Sequence, residues 1–352
     1  MNTAVYDAIV IGGGQSGLAA AYYLQQEKLN FVILEKNPVN LGSWAHYYDS
    51  LTLFSPAEYS TLPGLDFPGG ADRYPHRDEV VAYLKSYAAH FQFPINYEAE
   101  VLNVEKNDGI YSIQTAKNEV FRTRSIICSS GSFTNPNIPK ITGMNDYTGL
   151  IMHSKDYKND LAFRNKRVIV VGGGNSAVQI AVELANTADV TIATIRPLKF
   201  VPQLYLGKDL HYWLTRTGLD NNQSLEEKRL LMKSIDGVID DGFYQNAIAQ
   251  NKPNHKKMFK AFTQIGVIWD DNSHEEVDAV ILATGYKPNF DYLNNLSVLD
   301  KSGNPLQENG INQSSENIYF IGLPWQTSFS SATIRGSGVD AEIVVQDLVK
   351  HL

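Results

Sequence analysis

Two glycine-rich turns, each set between an apolar run and a helical stretch, hold the residues of this chain best suited to chemistry. The first is Gly12-Gly13-Gly14-Gln15-Ser16-Gly17, following Ala8-Ile9-Val10-Ile11. The second is Gly172-Gly173-Gly174-Asn175-Ser176-Ala177, following Val168-Ile169-Val170-Val171. Both fit the dinucleotide fingerprint GxGxx(G/A), whose glycines permit a tight turn and close backbone approach while a helix N-terminus receives a pyrophosphate. One such turn is a weak signal. Two in the right context imply two dinucleotides and electrons passing between them.

The residues beyond each turn separate the two sites. Glu35 ends the apolar run Phe31-Val32-Ile33-Leu34, 18 residues past Gly17. A carboxylate there accepts hydrogen bonds from ribose hydroxyls and repels a 2′-phosphate, so the first site suits FAD or NAD. The matching run of the second unit, Val190-Thr191-Ile192-Ala193-Thr194-Ile195, ends in Arg196, with Lys199 close behind and no acid. An arginine there can pair with a 2′-phosphate. FAD is therefore expected at the first site and NADPH at the second, with NADH also admitted.

The rest of the chain positions these turns. Its 352 residues suffice for two domains, and 43% apolar with 19% charged residues is ordinary globular composition. The net charge of −8 leaves no basic field for nucleic acid, and the cluster Lys252, His255, Lys256, Lys257 reads as a solvated surface. With no visible N-terminal signal and no apolar run long enough to span a membrane, a cytoplasmic location is expected. The single cysteine, Cys128, ends the apolar run Ile126-Ile127-Cys128 and reads as a core residue; one cysteine excludes a redox dithiol within the chain. His46 and His76 have no acid or cysteine at ligand spacing, so no metal is expected.

Strands are expected at 7–11 and 31–34, a helix at 16–26 and a final helix from about 340 to 352. The predicted fold is α/β: two Rossmann-like dinucleotide-binding domains, with the NAD(P)H domain (133–283) inserted into a discontinuous FAD domain (1–132 and 284–352). Residues 204–262 are expected to form a mainly helical insertion capping the cleft. The apolar residues Leu204, Tyr205, Leu206 and Trp213 either line that cleft or meet a second subunit as a homodimer.

One further motif narrows the field. Tyr147-Thr148-Gly149-Leu150-Ile151-Met152-His153-Ser154-Lys155-Asp156-Tyr157 stands just before the second turn and resembles the FxGxxxHxxxY signature of flavin-containing monooxygenases, with Tyr147 in place of phenylalanine. Related Baeyer–Villiger enzymes carry Trp or Pro where Tyr157 stands. Gly42-Ser43-Trp44 resembles the family's GGxW segment, with Leu41 replacing its first glycine, and Tyr74-Pro75-His76-Arg77-Asp78-Glu79-Val80 its YPxxxEV stretch. Ala283-Thr284-Gly285-Tyr286 matches ATGY at the return between domains, and Ser129-Ser130-Gly131 occupies the place of the usual ATG. The resemblance covers essentially the whole chain and is closest to compact bacterial members.

It implies that NADPH reduces FAD, that reduced flavin and O₂ form a C4a-(hydro)peroxyflavin, and that one oxygen atom passes to a soft nucleophile such as a thioether, an amine or indole. Gly12, Gly14, Gln15, Ser16, Gly17, Glu35, Lys36 and Trp44 would serve FAD; Gly172, Gly174, Asn175, Ser176 and Arg196 would serve NADPH. The catalytic candidates are Phe54, His153 and Tyr157. For His153 a conformational role, coenzyme contact and proton transfer stay open; Tyr157 and Tyr205 also fit as fillers of an inter-domain wall. Phe54 is the departure. In Leu51-Thr52-Leu53-Phe54-Ser55-Pro56 it replaces an asparagine that the family directs at flavin and coenzyme, and a phenyl ring cannot donate that hydrogen bond. A ketone-oxygenating enzyme, or an oxidase or quinone reductase of the same fold, is the rival expectation.

Overall fold

The computed structural model describes residues 4–131, 133, 135–219, 224, 226, 230 and 237–352. Two sheets organise the chain, the first mixed around a parallel centre and the second parallel throughout. The first begins with β1 (Val5–Ile11), α1 (Gln15–Gln26) and β2 (Phe31–Leu34). Next come α2 (Arg77–Phe91), β3 (Ile95–Asn96), and the antiparallel run β4 (Val101–Asn107), β5 (Ile110–Thr115) and β6 (Val120–Cys128). β1 lies centrally, parallel to β2 on one side and β6 on the other, and the late strand Ile318–Phe320 extends the sheet beyond β6. β1, β2 and β6 present buried Val, Ile, Leu and Ala on both faces, as strands covered on two sides must. α1 packs its small residues Gly17, Ala19, Ala20 and Ala21 against this sheet and the C-terminal helix Ile334–His351.

The second sheet is inserted between β6 and Ile318–Phe320. It contains β7 (Leu150–His153), β8 (Arg167–Val171) and β9 (Asp189–Thr194), with α3 (Asn175–Leu184) between the last two. Asn254–Lys257, β9, β8, Ala279–Leu282 and β7 lie side by side, all parallel. This is the mixed α/β architecture with two Rossmann-like units that the glycine turns foretold.

Several boundaries move. The C-terminal helix begins at Ile334, ahead of the expected 340, because Thr333 caps it by accepting from the Gly336 N–H at 3.3 Å. The span 204–262 is not mainly helical in its described part. It holds two seven-residue helices, Leu210–Arg216 and Phe243–Ala249, several short strands, and Asn254–Lys257, an edge strand of the second sheet. A strand reading Asn-His-Lys-Lys has no apolar signal because an exposed sheet edge is kept polar. Residues 220–223, 225, 227–229 and 231–236 of that span lie outside the described residues. Among the described residues no helix is long and apolar enough to cross a membrane, and no group of His, Cys, Asp or Glu could hold a metal ion.

Candidate functional site

The two glycine turns have the same construction. The Gly12 N–H donates to Leu34 O and the Gly172 N–H to Ala193 O, each reaching the end of the neighbouring strand. Register places Ile11 beside Cys128 and Val171 beside Leu282, so each turn glycine meets the residue just past a neighbouring strand. A Cβ on Gly12 would lie 2.6 Å from Ser129 O; one on Gly172 would lie 2.2 Å from Ala283 O. Their φ values of +103° and +142° also lie where side chains are strained. Ser129-Ser130-Gly131 and Ala283-Thr284-Gly285 thus hold equivalent places. Gly17 is required for packing, since its Cβ would sit 1.9 Å from Gly12 O.

No side chain caps α1 or α3, whose N-cap residues are Gly14 and Gly174. Nothing within 4 Å of Gly174 would oppose an added Cβ, and at Gly14 only Gly42 comes near, at 3.5 Å. Uncapped helix N-termini beside such open cradles fit a diphosphate. One cleft joins the units. It is lined by Gly12, Gly14, Gln15, Ser16, Glu35, Lys36, Trp44 and Phe54, and also by Asn175 and Ser176 of the second fingerprint. Further rings, Tyr47, Phe133, Tyr286 and Tyr292, complete the wall.

Glu35 is buried, with 2% of its surface exposed, and does more than face the cleft. One carboxylate oxygen accepts from Gly13 N at 2.8 Å and Gly42 N at 3.3 Å; the other accepts from the backbone and side-chain nitrogens of Asn37 at 2.8 and 2.7 Å. It therefore fixes both the first turn and the loop that carries Trp44. Trp44 donates its indole N–H to Gln15 Oε1 at 2.8 Å, and Ser16 Oγ lies 3.0 Å from Ser337 Oγ of the C-terminal helix.

The second unit is more open. By the hydrogen bonds of Gly12 and Gly172, Thr194 is the structural counterpart of Glu35, and Arg196 that of Asn37. This corrects the expectation that Arg196 stands opposite the acid, because strand ends slip by a residue or two when judged from hydropathy alone. Thr194 Oγ1 pairs with His255 Nε2 at 2.8 Å. Arg196 is exposed, and neither it nor Gly172 and Gly174 lines the shared cleft.

Phe54 is held by the pairing of its segment with the start of α2. Leu53 N donates to Pro75 O, and Arg77 N to Leu51 O, both at 2.9 Å. His76 caps α2, Glu79 returns the bond to His76 N at 2.8 Å, and Arg77 reaches Tyr47 O at 2.6 Å. The YPxxxEV stretch is thus a capping box that anchors one cleft wall.

His153 and Tyr157 lie outside the lining of the cleft. His153 is buried, and its Nδ1 accepts from Lys155 N at 3.1 Å, which leaves Nε2 to donate to Gly285 O at 3.0 Å. Both ring nitrogens are used by backbone, and burial holds the ring below its usual pKa, so it stays neutral. It fastens the end of β7 to the return between units. Tyr157 is fully buried among Tyr48, Phe163 and the apolar face of α3. The wall residues Tyr48 and Gln179 went unpredicted. Gln179 stands one helical turn beyond Asn175, the spacing that could have found it, and accepts from the Tyr48 hydroxyl. Leu204, Tyr205 and Leu206 are exposed and do not line the cleft; Trp213 donates to Tyr205 O at 2.8 Å.

Residues 9–322 match the pyridine nucleotide-disulphide oxidoreductase family. The chain belongs to that family. It is 36% identical over 347 residues to the uncharacterized oxidoreductase CzcO of Bacillus subtilis, covering 98% of this chain and 99% of that one. It is 28% identical to the indole-3-pyruvate monooxygenase YUCCA4 of Oryza sativa subsp. japonica, covering 98% and 88% of the two chains. The flavin-containing monooxygenase of Stenotrophomonas maltophilia superposes with a TM-score of 0.86 at 27% identity, over 98% of each chain. Within the family this is therefore an oxidoreductase of the flavin-monooxygenase type. A dithiol mechanism has no residues here: the chain's single cysteine, Cys128, is 1% exposed and its thiol pKa is pushed up to about 12 by burial.

Proposed function

We propose that the protein is a single-component monooxygenase that holds FAD on the first turn and takes reducing equivalents from NADPH, or less readily NADH, on the second. It would insert one oxygen atom of O₂ into soft nucleophiles such as thioethers, amines and indole. The observation that carries this reading is the cleft shared by both fingerprints, walled by aromatic rings and without a thiol on its wall. When bound, FAD supplies the oxygen activation.

The chain's own residues would then bind, orient and exclude water. The uncapped starts of α1 and α3 receive the two diphosphates. Glu35 orients the adenosine ribose of FAD while it holds Gly13 and Gly42 in place. Thr194, where a carboxylate would repel a 2′-phosphate, leaves room for one, and Arg196 stands two residues on to pair with it. Trp44, Phe54 and the tyrosines keep the space between the cofactors apolar. His153 and Tyr157 act on the junction between units rather than on substrate. On this reading the FAD domain is 1–132 with 284–352, and the coenzyme domain 133–283.

Phe54 on the cleft wall favours one second reading, an NAD(P)H oxidase or quinone reductase. Stopped-flow spectroscopy separates the two. The protein is reduced anaerobically with NADPH and then mixed with oxygen. A near-ultraviolet transient that decays faster when a thioether is present supports oxygenation. Direct return of oxidised flavin with stoichiometric hydrogen peroxide, indifferent to substrate, supports the second reading.

A further inference from the structure

A polar cluster behind the cleft wall belongs to none of the roles above. Asp209 is the N-cap of the short helix Leu210–Arg216, and both of its carboxylate oxygens are in use. One accepts from His211 N and lies at 2.7 Å from His211 Nδ1. The other accepts from the Tyr74 hydroxyl at 2.6 Å and from Gln203 Nε2 at 2.7 Å. The side chains of His211 and Asp209 are only 1% and 11% exposed. Burial alone would raise the Asp209 carboxyl; its bonds to His211, Tyr74 and Gln203 outweigh that and hold it below its ordinary range. A carboxylate with this many donors does not move easily.

What the cluster holds is Phe54. The same Gln203 Nε2 that binds Asp209 also donates to Phe54 O, at 2.8 Å, so the backbone of Phe54 is tied to the carboxylate through one amide. The Phe54 ring lies near-parallel to the His211 imidazole, with centroids 6.1 Å apart and 21° between planes; the Tyr59 ring stands at 6.1 Å and 27° to the same imidazole. The Phe54 main chain and the imidazole beside its ring are thus both tied to the Asp209 carboxylate, the first through Gln203 and the second through His211. The fixing crosses between units: Phe54, Tyr59 and Tyr74 come from the first, and Gln203, Asp209 and His211 from the segment after β9. Phe54 lines the cleft, whereas Asp209 and His211 do not.

We propose that Asp209 and His211 form a clamp that sets the position of the Phe54 ring in the cleft, and through it selects which nucleophile reaches the reacting position. They are positioning residues and touch no reactant. An aromatic ring that has one place defines a pocket edge; a ring free to rotate admits more shapes and more water. The proposal rests on the monooxygenase reading for its substrate but not for its geometry.

Fluorine NMR of the FAD-loaded protein carrying 4-fluorophenylalanine at position 54 reads the clamp without turnover. One narrow resonance is expected in the parent, several or a broadened one in His211→Ala, and one again in His211→Phe, which restores a ring to stack on. A narrow resonance, unshifted in His211→Ala, overturns the proposal. Should His211→Ala fail to fold, Asp209→Asn, which keeps the imidazole but loses the charge, takes its place under the same criterion. In kinetics with methyl phenyl sulfide, His211→Ala is expected to raise KM about 10-fold, more than it changes kcat, with partial return in His211→Phe. Combined with Phe54→Ala it should cost nothing beyond Phe54→Ala alone, since the clamp acts through that ring. Additive losses overturn it. If the parent oxygenates no sulfide, the monooxygenase reading fails while the fluorine spectra still decide the clamp.

Discussion

The two glycine turns share one backbone design and differ in everything around it. Gly12 and Gly172 make equivalent hydrogen bonds and press against equivalent neighbours at Ser129 and Ala283. Around the first turn Gly13, Ser16 and Gly17 are buried, Glu35 is saturated with N–H donors, and Trp44 and Ser337 close on Gln15 and Ser16. Around the second, Gly173 and Gly174 are exposed, Thr194 replaces the acid, and Arg196 stands in solvent. The lesson is physical: the same strand–turn–helix can keep one dinucleotide or exchange another, according to how much of its surface the rest of the fold covers. An enclosed site suits a resident cofactor, and an open one a coenzyme that comes and goes.

Alanine at each turn tests the comparison most strongly. Gly12→Ala combines a strained φ of +103° with a Cβ 2.6 Å from Ser129 O, and is expected to cost roughly 1–3 kcal/mol of stability and to yield protein without flavin colour. Gly172→Ala, equally crowded, should lose comparable stability yet stay yellow and resist reduction by NADPH. Thermal melts with flavin absorbance read both, and loss of flavin from both variants would dissolve the distinction.

Arg196→Ala is the next largest effect. It should weaken NADPH by about 1.5–3 kcal/mol, the worth of a charged hydrogen bond, and leave NADH nearly as before. Anaerobic rates of flavin reduction against coenzyme concentration measure it; equal losses would remove Arg196 from a phosphate site. Thr194→Glu sharpens the same point by installing the first site's acid in the second, and should shift preference from NADPH toward NADH. Glu35→Gln turns one acceptor oxygen into a donor facing N–H groups, and is expected to weaken FAD by about 1–3 kcal/mol, read by flavin fluorescence on titrating the apoprotein.

The smallest effect concerns the junction between the units. Burial lowers the His153 pKa from its ordinary 6.5, so below that pH the unfolded chain takes up a proton that the folded chain refuses. Its contribution to stability is therefore present above pH 6.5 and is lost as pH falls toward the folded value. Urea unfolding on either side of that pH should show a weaker acid loss in His153→Asn than in the parent. An identical loss would assign the effect to other groups.

Much of the first unit was legible because its signals are local. Glycines at positive φ, an acid at a strand end and unbroken apolar runs are properties of neighbouring residues. Arg196 was misplaced against Glu35 because hydropathy fixes a strand's existence better than its last residue. Asn254–Lys257 was missed because an edge strand buries too little to need apolar residues. The clamp on Phe54 was invisible: Phe54, Tyr74, Gln203, Asp209 and His211 form no spacing that any single element imposes.

The sequence by itself determined the two turns with their strands and helices, because each follows from residues a few positions apart; its single cysteine left no dithiol, and its short motifs, each local, together marked the family. Only the tertiary structure decided that both fingerprints open into one cleft, that His153 spends both ring nitrogens on backbone, and that Phe54 is held from across the units. Those facts depend on which distant segments are brought together. That is set by burial of the apolar surfaces between them, a property of the whole chain that no local pattern records.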